Sequence, residues 1–129
     1  MTPEEKIEYW LDIAEYDMET AIAMQQSGRY LYTVFMCQQA LEKLLKAIHI
    51  QQTGAEAPRT HNLLHIAELI NLPRHAQYLQ TMGKLNAFYI KGRYPVYKQK
   101  LSQILDQDTS QNFLDETREI FQWLKSRLQ

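Results

Sequence analysis

The stretch from Gly28 to Gln52, "GRYLYTVFMCQQALEKLLKAIHIQQ", decides the fold. Val34, Cys37, Leu41, Leu44, Leu45 and Ile48 recur at steps of three and four, the spacing of one apolar helix face. A helix is expected from Tyr30 to Gln52. Upstream, Ile7, Trp10, Leu11, Ala14, Met18, Ala21 and Ile22 form a second stripe of the same period. Thr2 can cap that helix, Pro3 suits its first position, and Glu4 and Glu5 favour the positive end of its dipole. Ser27-Gly28 ends it, so it covers residues 3–27. Two long helices with so short a connection must pack antiparallel as a hairpin.

Downstream, "TGAEAPRT" from Thr53 to Thr60 is a loop by composition. A third helix is expected over 62–70, with Leu63, Ile66, Ala67 and Ile70 inward, and "NLP" at 71–73 breaks it. A fourth is expected over 74–91, stacking Tyr78, Met82, Leu85 and Tyr89; Gly92 and Pro95 end it. Residues 96–108 are expected to give a turn or two around Leu101, Ile104 and Leu105. The last helix is expected over 110–128, carrying Phe113, Leu114, Ile120, Phe121 and Leu124. No strand pattern and no internal repeat is visible. The reading is one all-α domain over residues 1–129, an up-and-down bundle of four to five helices built on the long hairpin.

Length and composition agree with that reading. The chain has 129 residues, 45% hydrophobic and 22% charged, which suits one globular domain rather than a disordered chain. A formal charge of −1 excludes a whole-protein positive field for nucleic acid, but not a local basic patch. The single cysteine, Cys37, excludes an internal disulfide or a multi-cysteine metal cage. The N-terminus lacks the apolar region of a signal peptide. No apolar run approaches the roughly 18 residues of a membrane span. A soluble, cytoplasmic protein is expected.

Several polar residues sit where they demand a reason. Asp17 shares the stripe of Trp10, Ala14 and Ala21, so it needs a partner on a neighbouring helix. Gln38, Glu42, Lys46 and His49 share a strip of the second helix, with Gln39 and Lys43 beside it. Glu42 and Lys46 form an i,i+4 pair in the favoured order. This strip reads either as a solvated face or as one turned to a cleft or a partner. His61 and His65 stand four apart, a spacing that binds zinc only when further ligands arrive. No HExxH motif is present, and no metal is expected.

The fourth helix ends in "LNAFYIKGRYP" at 85–95. Tyr89 and Arg93 are one turn apart, with Asn86 on the same side. Pro95 forces Tyr94 out of helical geometry, so Arg93 projects from a stiff end. It can cap the helix dipole or hold a phosphate on its guanidinium fork. Lys91, Lys98 and Lys100 add to a small basic cluster around it.

Taken together, Trp10, Ala14, Asp17 and Ala21, "GRYLYTVFMCQQALEKLLKA" at 28–47, "RTHNLLHIAEL" at 59–69 and "LNAFYIKGRYP" at 85–95 resemble the HEPN family of small α-helical domains. The resemblance implies a four- or five-helix bundle and a homodimer with sites near its interface. It implies, for many prokaryotic members, a minimal nucleotidyltransferase partner in a toxin–antitoxin pair. Active members are metal-independent ribonucleases marked by an arginine followed four to six residues later by a histidine. Arg93 matches that arginine, but Tyr97, Lys98 and Gln99 stand where the histidine would. Histidine suits proton transfer near neutral pH, whereas tyrosine and lysine titrate near 10. His61 could supply the imidazole if the fold brings its loop to Arg93.

Three functions follow as expectations. The first is a protein acting with a nucleotidyltransferase, with nucleotide or RNA phosphate bound by Arg93, Tyr94, Tyr97, Lys98, Asn86, Tyr89, Glu42 and Lys46. The second is a metal-independent ribonuclease using Arg93 and His61. The third is a binding or interaction module without chemistry. No cofactor is expected. By family analogy, Tyr94 or Tyr97 could be nucleotidylated by the partner. Tyr9, Ile13, Tyr30, Tyr32, Phe35 and Met36 lie off the main apolar faces, as interface residues do.

Overall fold

The structure is a computed structural model describing the backbone of residues 1–129 and all side chains except those of residues 95–99. Six helices follow one another: α1 (Pro3–Gln26), α2 (Tyr30–Thr53), α3 (Leu63–Glu68), α4 (Ala76–Gly92), α5 (Pro95–Ile104) and α6 (Gln107–Lys125). No strand is present among the described residues, and none of the helices is long and apolar enough to cross a membrane.

The hairpin forms as its sequence dictates. The Thr2 hydroxyl accepts from the Glu5 amide at 3.2 Å, and Pro3 opens α1. Gly28 turns the chain with φ of +77°, a conformation that costs glycine little. Helices α1 and α2 each have 24 residues, about 36 Å at 1.5 Å per residue. Gly54, at φ +70°, ends α2 by donating its amide to the Ile50 carbonyl at 2.8 Å.

Helix α2 is the axis of the bundle and packs against each of the other five. That explains its composition. Leu41, Leu44, Leu45 and Ile48 have no exposed surface, and burying each such side chain stabilises by about 1.5–3 kcal/mol. From the other side α6 closes the core with Leu114, Ile120, Phe121 and Leu124. Asp106 caps α6, its carboxylate accepting from the Thr109 amide at 2.8 Å.

Four helices differ in their bounds from expectation; α6 runs over Gln107–Lys125 instead of 110–128, because Asp106 is its cap. Helix α3 is shorter, because Asn62 caps it through the His65 amide at 3.2 Å. Helix α4 begins at Ala76, because His75 is its cap. The region after Pro95 is a ten-residue helix, with Pro95 in its first turn. Pro95 thus stops α4 and also starts α5, the position where a missing amide hydrogen costs nothing.

Candidate functional site at the end of α4

The polar strip of α2 is not a solvated face. Gln38 is fully buried, Glu42 is 1% exposed and Lys46 7%. Against it lie the loop before α3, through His61, and Trp10 of α1. A charged group there needs partners, and each has them. The Glu42 carboxylate accepts from Lys46 Nζ at 3.1 Å, from His61 Nδ1 at 2.9 Å and from Gln38 Nε2 at 3.3 Å. Gln38 Nε2 also donates to the His61 carbonyl at 2.6 Å. Lys46 lies 5.3 Å from the Trp10 ring centre, a contact that further stabilises a desolvated cation.

The network continues along α2. Gln39 Nε2 donates to Gln38 Oε1 at 2.7 Å, and Lys43 Nζ donates to Gln39 Oε1 at 2.7 Å. Lys43 then meets Asp17 of α1 at 3.3 Å. Asp17 thus has the inter-helix partner its place on the apolar stripe requires. An unbroken chain of hydrogen bonds and ion pairs runs from α1 to the loop before α3.

At its outer end is His61, whose side chain is 54% exposed. With the Glu42 carboxylate accepting, Nδ1 carries a proton, and in the neutral ring the lone pair is then on Nε2. Among the described residues no hydrogen bond reaches Nε2. The His61 ring lies 5.5 Å from the ring of Tyr89 on α4. The Arg93 guanidinium carbon lies 5.9 Å from that same ring. The loop of His61 and the end of α4 therefore meet on one tyrosine.

The mount of Arg93 is set by Gly92. A Cβ there would stand 2.0 Å from Phe35 Cζ, so only glycine lets α4 approach α2 this closely. Phe35 in turn packs edge-on against Tyr89, ring centres 5.9 Å apart. Arg93 caps α4 in αR geometry and is exposed. Exposed Lys91 and Lys100 are its basic neighbours in sequence.

Asn86 ties the two elements together. Its Oδ1 accepts from the Leu63 amide at 2.9 Å, and its Nδ2 donates to Asn62 Oδ1 at 2.7 Å. Both ends of the amide thus hold the start of α3 against α4. Tyr94 is 58% exposed and caps α5. The side chains of Tyr97 and Lys98 lie outside the described residues. His49 and His65 stay apart from the cluster: His49 meets the Thr53 hydroxyl, and His65 is exposed. Among the described residues no three histidine, cysteine or acidic side chains come together as metal ligands.

Of the six apolar residues off the main faces, Phe35 is explained within the chain, by Gly92 and Tyr89. Tyr9 and Tyr32 remain 49% and 37% exposed.

This arrangement sets a guanidinium able to hold an anion and an exposed imidazole against one tyrosine ring. The HEPN domain profile matches residues 7–127. Two solved structures share the fold. TT1696 from Thermus thermophilus superposes with a TM-score of 0.80 at 21% identity, over 95% of this chain and 98% of that one. ST0689, described as an archaeal HEPN homologue, superposes with a TM-score of 0.75 at 26% identity over the same shares. No curated protein matches the sequence. With the profile covering nearly its whole length, the chain belongs to the HEPN domain family.

Proposed function

We propose that this HEPN protein holds a phosphate-bearing ligand, nucleotide or RNA, at the end of α4, and acts with a minimal nucleotidyltransferase partner in a toxin–antitoxin-like pair. One observation carries the ligand: the exposed Arg93 guanidinium is set over Tyr89, a ring against which the half-exposed His61 also packs. A guanidinium fork matches phosphate oxygens bidentately, and an aromatic ring offers a base a stacking face. The partner rests on the family, many of whose prokaryotic members are encoded beside such an enzyme. Titrating the ¹⁵N-labelled protein with AMP or a short ribo-oligonucleotide tests the ligand. Signals of residues 61, 89 and 93 should move together; movement confined elsewhere would refute the site. Co-purification with a neighbouring nucleotidyltransferase tests the partner.

A second reading, a metal-independent ribonuclease, is favoured by the 2.9 Å contact between His61 Nδ1 and the buried Glu42. A carboxylate on Nδ1 fixes the tautomer that leaves Nε2 able to take a hydroxyl proton. In EDTA, cleavage of RNA by the wild type that is lost in His61→Ala supports it. No cleavage by the folded wild type rejects it. A homodimer completes the proposal, supported by the exposed aromatic rings of α1 and α2. Light scattering showing a monomer at micromolar concentration would contradict it.

A further inference from the structure

The start of α4 carries a feature independent of what binds at Arg93. Helices are usually capped by serine, threonine, aspartate or asparagine. Here the cap is His75, whose Nδ1 accepts from the Tyr78 amide at 3.3 Å. The His75 ring lies parallel on the Tyr78 ring, 3.6 Å away and 6° from coplanar. Trp123 of α6 stands edge-on to both, at 6.1 Å and 5.2 Å. These three rings line a cavity of about 590 Å³ between α3, α4 and α6. It is remote from the Arg93 site, since Tyr78 and Arg93 are about 22 Å apart along the axis of α4 at 1.5 Å per residue.

An imidazole nitrogen accepts a hydrogen bond only through a lone pair. The cap therefore exists only while His75 is neutral, with its proton on Nε2. A second proton turns Nδ1 into a donor facing another donor. It also sets a positive charge at the positive end of the α4 dipole. We propose that His75 is a proton-sensitive cap, so that its protonation releases the first turn of α4 and loosens the aromatic wall of the cavity.

The surrounding charges do not decide the matter by themselves. Glu68 of α3 and Arg74 line the same cavity, Glu119 of α6 acts on the Tyr78 phenol, Glu116 of α6 accepts from the Thr81 hydroxyl one turn further along α4, and Arg127 lies 5.4 Å from the Trp123 ring. With both signs present, the proposal rests on the lost acceptor and the helix dipole.

Amide hydrogen exchange of the full chain tests this directly, read as the protection factor of the Tyr78 amide relative to that of Leu85 in the same helix. Loss of a cap corresponds to about a fivefold fall in local protection. In the wild type the ratio should fall by about that factor between pH 8 and pH 5. His75→Asn, which caps without titrating, should hold it constant, and His75→Ala should leave it low at both pH values. A constant ratio in the wild type, while the His75 ring signals show the second proton taken up, overturns the proposal. So does an equal fall in His75→Asn.

Discussion

Replacing Glu42 with glutamine probes the buried network, because it keeps the volume and removes one charge. Glu42 is 1% exposed and Lys46 7%, so no water can replace the carboxylate 3.1 Å from the ammonium. Breaking a buried pair from one side costs about 3–5 kcal/mol. The Trp10 contact survives the change, and the new amide oxygen still accepts. The lower end is therefore expected, about 3 kcal/mol, or a fall in Tm of roughly 10 °C for a chain of this size. Lys46→Met in the same background removes the stranded cation and should recover at least about 2 kcal/mol of that loss. Urea unfolding of wild type, both single variants and the double variant closes the cycle. A Glu42→Gln variant within about 0.5 kcal/mol of wild type, or a double variant equal to the sum of the singles, would refute the claim that this pair is desolvated and coupled.

Other consequences are as specific. Gly92→Ala puts a methyl group 2.0 Å from Phe35 Cζ, so it should destabilise by about 1–3 kcal/mol and displace Arg93. Gly83→Ala meets only Leu64 Cδ1 at 3.6 Å and should stabilise α4 by up to about 1 kcal/mol; urea midpoints compare the two. Burial pushes the Cys37 thiol up to about 12, with the Thr117 hydroxyl acting weakly the other way. Cys37 should therefore ignore a thiol reagent at pH 8 until the chain unfolds. The Thr109 backbone amide and hydroxyl hold the Asp106 carboxyl below the usual carboxylate range. A depressed folded-state pKa stabilises above the unfolded value near 3.9 and is lost as pH falls through the folded one. Stability should thus drop in that acid window, and Asp106→Asn, a cap without a charge, should flatten the drop.

Local pattern was enough for the hairpin. The apolar steps of α1 and α2 and the Ser27-Gly28 turn are read from neighbours in sequence, and the structure follows them. Helix α5 was under-read because Pro95 looks like a stop, whereas its place in the next first turn depends on the chain beyond it. The start of α4 was misplaced because histidine is an uncommon cap. Arg93 at a forced helix end was legible from Gly92 and Pro95. That His61 packs on the same tyrosine was not, since that needs α3 and α4 side by side, through contacts such as Asn86 to Leu63. Gln38, Glu42 and Lys46 show the limit most clearly. Helical period places them on one polar strip, but their partners, Trp10 and the His61 loop, are distant in sequence.

Everything proposed for the end of α4 requires that Arg93 be a ligand residue and not merely a cap for the helix dipole. Fluorescence anisotropy of a labelled ribo-oligonucleotide, with wild type, Arg93→Ala and Arg93→Lys at fixed salt, tests it most directly. A charge-assisted contact of about 1.5–3 kcal/mol predicts affinity weakened roughly tenfold or more in Arg93→Ala, partly restored in Arg93→Lys, with thermal stability little changed. Equal affinity in all three, with a lower Tm for Arg93→Ala, would show that the arginine only ends the helix.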